Sequence, residues 1–216
     1  MNTGAIILAA GMSSRMGDFK PLLKIGPYTA IQRIITTLRE AGVSPIVLVT
    51  GHQAERLESH VSGLDVVCVR NEEYESSQML DSIKIGLRYL EKRCGQTLIT
   101  PADVPLFAEE TVRALVTLGA DVAMPTYNGR NGHPMLVSVD MFPIIEAFDG
   151  ERGMAGAIKA AGCPIKKIEV DDEGILLGMN TPDEYQRLLN KYQLIFDGDG
   201  RLPAPQYIYT REQKGK

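Results

Sequence analysis

The chain has 216 residues and a net charge of −4, with acidic and basic side chains interspersed. That length holds one α/β domain with a sizeable core, and the charge balance excludes the broad basic face of a nucleic-acid binder while allowing a few local cations at a nucleotide site. No apolar run is long enough to span a membrane, the N-terminus lacks the pattern of a secretion leader, and Cys68, Cys94 and Cys163 are scattered with no C-x-x-C pair, so reduced thiols and a cytoplasmic location are expected, with no zinc site and neither nucleic acid nor membrane as partner.

In chain order, residues 5–8 form an apolar run that reads as a buried strand, followed by a glycine- and serine-containing loop. Ile31, Ile34, Ile35 and Leu38 recur at helical spacing. Residues 46–49 and 66–69 read as further buried strands, with Cys68 as core filling. Leu80, Ile83, Leu87 and Leu90 mark a second helix, and residues 97–99 a fourth strand. Continuous apolar strands alternating with helices predict a Rossmann-like, doubly wound, mostly parallel sheet. Beyond Pro105, residues 109–118 read as a helix and 121–124 as a strand. The turn-rich Tyr127-Asn128-Gly129-Arg130-Asn131-Gly132 and a strand over 134–139 then predict a small hairpin-like insertion beside the main sheet. Thr181-Pro182-Asp183-Glu184 is a helix start, with Thr as cap and Pro at the first position, and that helix is expected to run to about residue 191. Residues 1–196 read as one domain and 197–216 as a loosely packed tail or linker. Asp197-Gly198-Asp199-Gly200 is not a calcium loop, because no Glu stands at its twelfth position.

The most informative stretch is Leu8-Ala9-Ala10-Gly11-Met12-Ser13-Ser14-Arg15-Met16-Gly17-Asp18-Phe19-Lys20. Glycine lets backbone N–H groups approach a ligand closely, successive N–H groups form an anion-binding concavity, and Arg15 and Lys20 supply full charges. Such a loop suits a triphosphate. Five residues separate Gly11 from Gly17 and Asp18 follows, which excludes a Walker loop. The G-x-G-x-x-G of dinucleotide folds is also absent. The spacing L-A-A-G-x-S-x-R-M-G-x-x-K resembles the N-terminal signature of molybdenum-cofactor-type nucleotidyltransferases, most of all the molybdopterin cytidylyltransferases, with every fixed position matched. The resemblance covers about residues 1–192 and is concentrated in short motifs. It implies the fold of nucleotide-diphospho-sugar transferases.

A second motif, Thr100-Pro101-Ala102-Asp103-Val104-Pro105, puts Asp103 at the carboxyl end of a central strand, where open α/β sheets bind ligands. Magnesium takes one or two carboxylates and completes its shell with phosphate oxygens and water, so one Asp beside a triphosphate is a sufficient anchor. A plain turn aspartate is the competing reading. The resemblance implies the metal role, because the family's P-A-D-x-P carries its metal-binding Asp. Asn131-Gly132-His133-Pro134 resembles the family's G-H-P segment and implies that Gly132, His133 and Pro134 lie on the acceptor side. His133 is read as shaping the site or bonding a phosphate rather than as a base, since an acceptor phosphate is already anionic. Met79, Ser82 and Gly86 match a helix start that contacts the nucleotide in relatives. Ser82 is expected on the base or ribose, with a solvated helix face an equal alternative. Thr50-Gly51-His52 reads as pocket-adjacent or as a simple turn.

Two positions depart from the family pattern. Relatives carry Asp before the Thr-Pro of the last helix, where this chain has Asn180, an oxygen ligand without charge. Gly150-Glu151-Arg152-Gly153-Met154-Ala155 keeps the glycines and acid of the pterin-side G-D-x-G-A-R but loses its final arginine.

The resemblance implies transfer of a nucleoside monophosphate, CMP from CTP, to a phosphate-bearing acceptor, molybdopterin, with release of pyrophosphate. The nucleotide-binding set is then Leu8, Ala9, Ala10, Gly11, Ser13, Arg15, Lys20, Ser82 and Asp103. Lys20, Arg15 and Asp103 carry the chemistry, and Asp103 with Asn180 holds Mg2+. A molybdoenzyme or its chaperone is the implied macromolecular partner. The alternatives are a sugar-phosphate or alcohol-phosphate acceptor, and a non-catalytic nucleotide-binding subunit.

Overall fold

The computed structural model describes residues 2–12 and 16–195. Ser13, Arg15 and the proposed tail over 197–216 lie outside the described residues. The strands are β1 (Thr3–Ala9), β2 (Lys24–Ile25), β3 (Tyr28–Thr29), β4 (Ile46–Thr50), β5 (Val67–Arg70), β6 (Gln96–Pro101), β7 (Val122–Tyr127), β8 (Arg130–Asn131), β9 (Met135–Ser138) and β10 (Lys166–Glu169). The helices are α1 (Ala30–Glu40), α2 (Ala54–Val61), α3 (Met79–Leu90), α4 (Glu109–Val116), α5 (Phe142–Ala147), α6 (Gly153–Ala160) and α7 (Pro182–Ile195).

The main sheet runs β10-β7-β9-β6-β1-β4-β5, with β8 paired to β7. β6, β1, β4 and β5 are mutually parallel, with Leu8 opposite both Val49 and Pro101. The chain winds from β1 outward through β4 and β5, then returns to β6 on the other flank of β1. That reversal opens a crevice at the carboxyl ends of β1 and β6. Successive residues of β1 face opposite sides of the sheet. Ile7 joins Ile34, Leu38, Phe107 and Leu115 in one apolar layer. Ile6 joins Ile83, Leu87, Phe142 and Ile158 in the other. Both faces are therefore covered, which is why these strands read as continuous apolar runs.

The predicted insertion is integrated rather than appended. Asn128 and Gly129, both at positive φ, turn the tight β7–β8 hairpin. β9 then lies between β6 and β7, antiparallel to each, with Leu98 opposite Leu136. The local turn signals were legible, but the pairing of β9 with the distant β6 is a long-range choice. β5 is half-buried rather than buried, because it is the edge strand. Cys68 packs there against the first apolar layer, Cys94 is buried, and all three cysteines are free.

α7 runs past its expected end to Ile195 and packs on the β2–β3 hairpin through Ile25, Leu188 and Tyr192. Thr181 caps it as the sequence predicts, accepting from the Glu184 N–H at 3.2 Å. Buried Arg33 fastens it to α1, donating to the Ile25 carbonyl at 3.0 Å and the Tyr192 hydroxyl at 2.7 Å.

Gly86 lets α3 approach β1. A Cβ there would stand 2.8 Å from the buried Ile6 side chain. Its match to the family motif thus reflects helix–sheet packing rather than ligand contact. Gly86→Val is expected to cost about 1–3 kcal/mol by overpacking, more than the small gain in helix propensity. Thermal denaturation should show a clear fall in Tm, and an unchanged Tm would refute this packing role.

Candidate active site

Three segments far apart in sequence meet at the carboxyl ends of β1 and β6. Lys20 begins a short turn (Lys20–Leu22) after the phosphate loop, and Asp103 lies two residues past β6. Asn180 stands just before the α7 cap. The Lys20 ammonium donates to Asp103 Oδ2 at 3.2 Å and to Asn180 Oδ1 at 2.8 Å. Their oxygens therefore face one point. Lysine can only donate, so this contact also fixes which end of the Asn180 amide is oxygen. The Lys20 and Asp103 side chains are 12% and 23% exposed, which leaves them reachable from solvent but poorly screened.

Two cavities share this wall. The first, about 520 Å³, is lined by Leu8, Ala9, Ala10, Gly11, Lys20, Tyr74, Ser77, Gln78, Met79, Ser82, Asp103 and Asn180. The second, about 750 Å³, is lined by Asp103, Asn180, Gly132, His133, Glu173 and Glu184, with Arg130, Arg187 and Lys191 supplying positive charge. Asp103 and Asn180 border both. Every described member of the expected nucleotide set lies on the first cavity. Of the expected acceptor set, Gly132 and His133 line the second, while Pro134 is buried behind them.

Ser82 is buried, 6% exposed, on the cavity side of α3, so the solvated-face alternative is overturned. Met79 lines the same cavity and is 64% exposed. Thr50-Gly51-His52 backs the phosphate loop, with the His52 N–H donating to the Ala10 carbonyl at 3.0 Å. None of these three lines the first cavity itself, but Gly51 packs on Ala10 and Tyr74, which do, so the segment is pocket-adjacent. Gly150 to Ala155 line neither cavity; Arg152 and Gly153, at positive φ, enter α6.

Burial pushes the His133 imidazole below its ordinary pKa and so favours the neutral ring, while the Asp103 charge opposes this. Its Nδ1 is buried without a hydrogen-bond partner among the described residues. The His133 backbone N–H donates to the Ile175 carbonyl at 3.0 Å. A Cβ on Gly132 would stand 2.5 Å from Ile175, so glycine is required for this close approach.

Sequence reasoning missed Asp172. Its carboxylate accepts from the Ala108 N–H and the Thr111 hydroxyl, each at 2.7 Å, and from the Gly174 N–H at 3.0 Å. Burial raises its pKa, and these three donors oppose the rise. Asp172 thereby caps α4 from outside and ties the loop bearing Asn180 to the loop bearing Asp103. The Met179 N–H, donating to the Asp103 carbonyl at 3.1 Å, completes the join. The only sequence signal was an acidic pair, Asp171 and Asp172, in an otherwise unpatterned stretch.

A parallel-sheet crevice with a glycine-containing loop after β1 and a lysine–carboxylate pair at its edge is consistent with a nucleotidyltransferase. The chain belongs to the MobA-like NTP transferase domain family, whose model matches residues 5–165. The molybdenum cofactor cytidylyltransferase of Escherichia coli is 28% identical over 191 residues, which cover 87% of this chain and 95% of that protein. The bifunctional protein GlmU of Geobacter sulfurreducens is 35% identical over 156 residues, 69% of this chain, which spans 31% of that longer protein. Among solved structures, a nucleotidyl transferase from Methanothermobacter thermautotroptrophicus shares the fold with a TM-score of 0.78 at 24% identity, over 89% of this chain and 98% of that one. Rv0371C of Mycobacterium tuberculosis, solved in complex with manganese, does so with a TM-score of 0.70 at 24% identity, over 88% and 99%. The protein is accordingly an enzyme, and the non-catalytic alternative falls away. No described helix is long and apolar enough to cross a membrane.

Replacing Asp172 by Ala strands three buried donors and is expected to destabilise the fold by about 3 kcal/mol. Asp172→Asn, which keeps an acceptor, should lose less. Chemical denaturation of both variants tests this, and equal stability of Asp172→Ala and wild type would contradict it.

Proposed function

We propose that the enzyme transfers CMP from CTP to the phosphate of a molybdopterin-class acceptor and releases pyrophosphate. The observation that carries this reading is the meeting of two cavities at Asp103 and Asn180, with Lys20 on the wall of the first and bonded to both residues. The first cavity has the phosphate-loop backbone on one wall and fits the donor. The second carries Arg130, Arg187 and Lys191 beside Asp103, Glu173 and Glu184, and Lys191 is paired with Glu173, so Arg130 and Arg187, with His133, are the groups that can meet an acceptor phosphate. The name of the Escherichia coli relative supports both the base and the acceptor.

Catalysis in this reading is positioning and charge neutralisation. The backbone of Leu8 to Gly11 wraps the triphosphate. Lys20, at the boundary, faces the α-phosphate and stabilises the charge that grows there as the acceptor oxygen attacks in line. Arg15, assigned by the sequence to the leaving pyrophosphate, lies outside the described residues. His133 stays neutral and can bond an acceptor oxygen without serving as base.

The donor set fits a divalent cation. Asp103 Oδ2 and Asn180 Oδ1 both reach the Lys20 ammonium, so both could reach one hard ion if that ammonium turned from them to the phosphates. Only one of the two is charged, so phosphate oxygens and water would complete the shell. Among the described residues no cluster of three His, Cys, Asp or Glu side chains competes for the ion. Bound Mg2+ would supply neutralisation of phosphate charge.

Pyrophosphate release from CTP, with and without molybdopterin-bearing extract, tests the reading. Lys20→Ala should keep triphosphate binding but slow turnover about a hundredfold, which corresponds to roughly 3 kcal/mol of transition-state stabilisation. Asp103→Asn should abolish metal-dependent turnover with the fold intact. Normal turnover in either would remove that residue from its role.

The amide at position 180 gives a separate expectation. Asn180→Asp adds charge to the metal shell and should lower the Mg2+ concentration for half-maximal activity, whereas Asn180→Ala should raise it. Identical metal titrations for both variants and wild type would show that Asn180 is not a ligand.

A further inference from the structure

Asn71 lies just past β5, is 4% exposed, and makes three side-chain hydrogen bonds whose direction is fixed by chemistry. The Glu73 backbone N–H donates to Asn71 Oδ1 at 3.1 Å. A backbone N–H cannot accept, so the amide oxygen is on that side and the NH2 group on the other. The NH2 group donates to Ser77 Oγ at 2.8 Å and to Ser82 Oγ at 3.0 Å. Asn71 cannot swing away, because its own N–H is held by the Thr50 carbonyl at 2.8 Å. Each serine oxygen thus accepts from Asn71, and among the described residues neither hydroxyl hydrogen has an acceptor. Both serines line the first cavity; Ser77 also borders a cavity beside Asp81 and Lys84, whereas for Ser82 the first cavity is the direction left for the hydrogen.

We propose that Asn71 is a positioning residue that sets the hydrogen-bond polarity of the first cavity. It holds Ser77 and Ser82 as donors toward the ligand and so selects a base edge made of acceptors. The inference rests on the reading that this cavity holds the nucleoside triphosphate. Cytosine offers two adjacent acceptors, O2 and N3. Uracil carries an N–H at position 3, and guanine carries N–H groups at N1 and N2. Against those edges the serine hydrogens face an N–H, and each oxygen, with one lone pair taken by Asn71, has only one left to accept with, so the discrimination is by weakened bonding. Asn71 itself does not line this cavity and acts only through the two serines.

Calorimetric titration of the full chain with CTP, UTP and 2′-deoxy-CTP tests this. Wild type should bind CTP about tenfold or more above UTP, and 2′-deoxy-CTP should follow CTP. No binding of any triphosphate would overturn the nucleotide reading itself, whereas binding with equal affinity for CTP and UTP would overturn this inference alone. Asn71→Asp keeps the shape and the acceptor for Glu73 but converts the other partner into an acceptor. The serine hydroxyls then donate away from the cavity and show it lone pairs. The added charge weakens all triphosphates alike, so the CTP-to-UTP ratio is the readout, and it should fall to about one or reverse. Ser82→Ala, a small change that the helix tolerates, should lower the ratio severalfold. An unchanged ratio in both variants overturns the proposal. So does a loss that is seen with CTP and UTP alike and vanishes with 2′-deoxy-CTP, since that places the hydroxyls on the ribose.

Discussion

The Lys20 ammonium, held between Asp103 and Asn180, is the contact on which the site depends. It joins residues 83 and 160 positions apart in the chain. Lys20 comes from the loop after β1, Asp103 from the loop after β6, and Asn180 from the entry to α7. Each loop must be correctly placed for three polar groups to converge at the boundary of two cavities. The bulk of the fold serves this placement. The parallel pairing of β1 with β6 brings two of the loops together, and α7, fastened by Arg33 and Tyr192, brings the third.

The convergence also needs a second layer of support that carries no chemistry of its own. Asp172 links α4 to the loop that leads to Asn180, and Gly132 lets His133 come against Ile175. These contacts are buried, where an unpaired polar group is costly, and so they hold their partners rigidly. In the proposed mechanism, where catalysis is mostly alignment, such a frame keeps Lys20 and Asp103 where their charges are needed.

Much of this was legible in the sequence, and the reason is local. Apolar runs at residues 5–8, 46–49 and 97–99 announced central strands because both faces of those strands are covered. The loop after β1 and Pro101-Ala102-Asp103 stood out by their residue types, and the structure brings Gly11 and Asp103 to one cavity. What stayed hidden was long-range. The place of β9 between β6 and β7 depends on pairing across some forty residues of sequence, and a hairpin pattern alone cannot choose between joining the sheet and lying beside it. Asp172 was invisible because a buried carboxylate that caps a distant helix has the same local signature as a surface acid. Ser82 was ambiguous for the same reason: its burial is decided by which face of α3 meets the cavity. Gly86 fitted a ligand motif, although its role is contact with Ile6.

The central claim is that donor and acceptor occupy separate cavities that meet at Asp103 and Asn180, beside Lys20. Diffraction from crystals grown with Mn2+ and a non-hydrolysable CTP analogue, with the metal located by its anomalous signal, tests it most directly. The account predicts the base in the cavity lined by Ser77 and Ser82, the α-phosphorus facing Lys20, and the metal between Asp103 and Asn180. A nucleotide seated beside Arg130 and His133, or a metal bound away from Asp103, would contradict it.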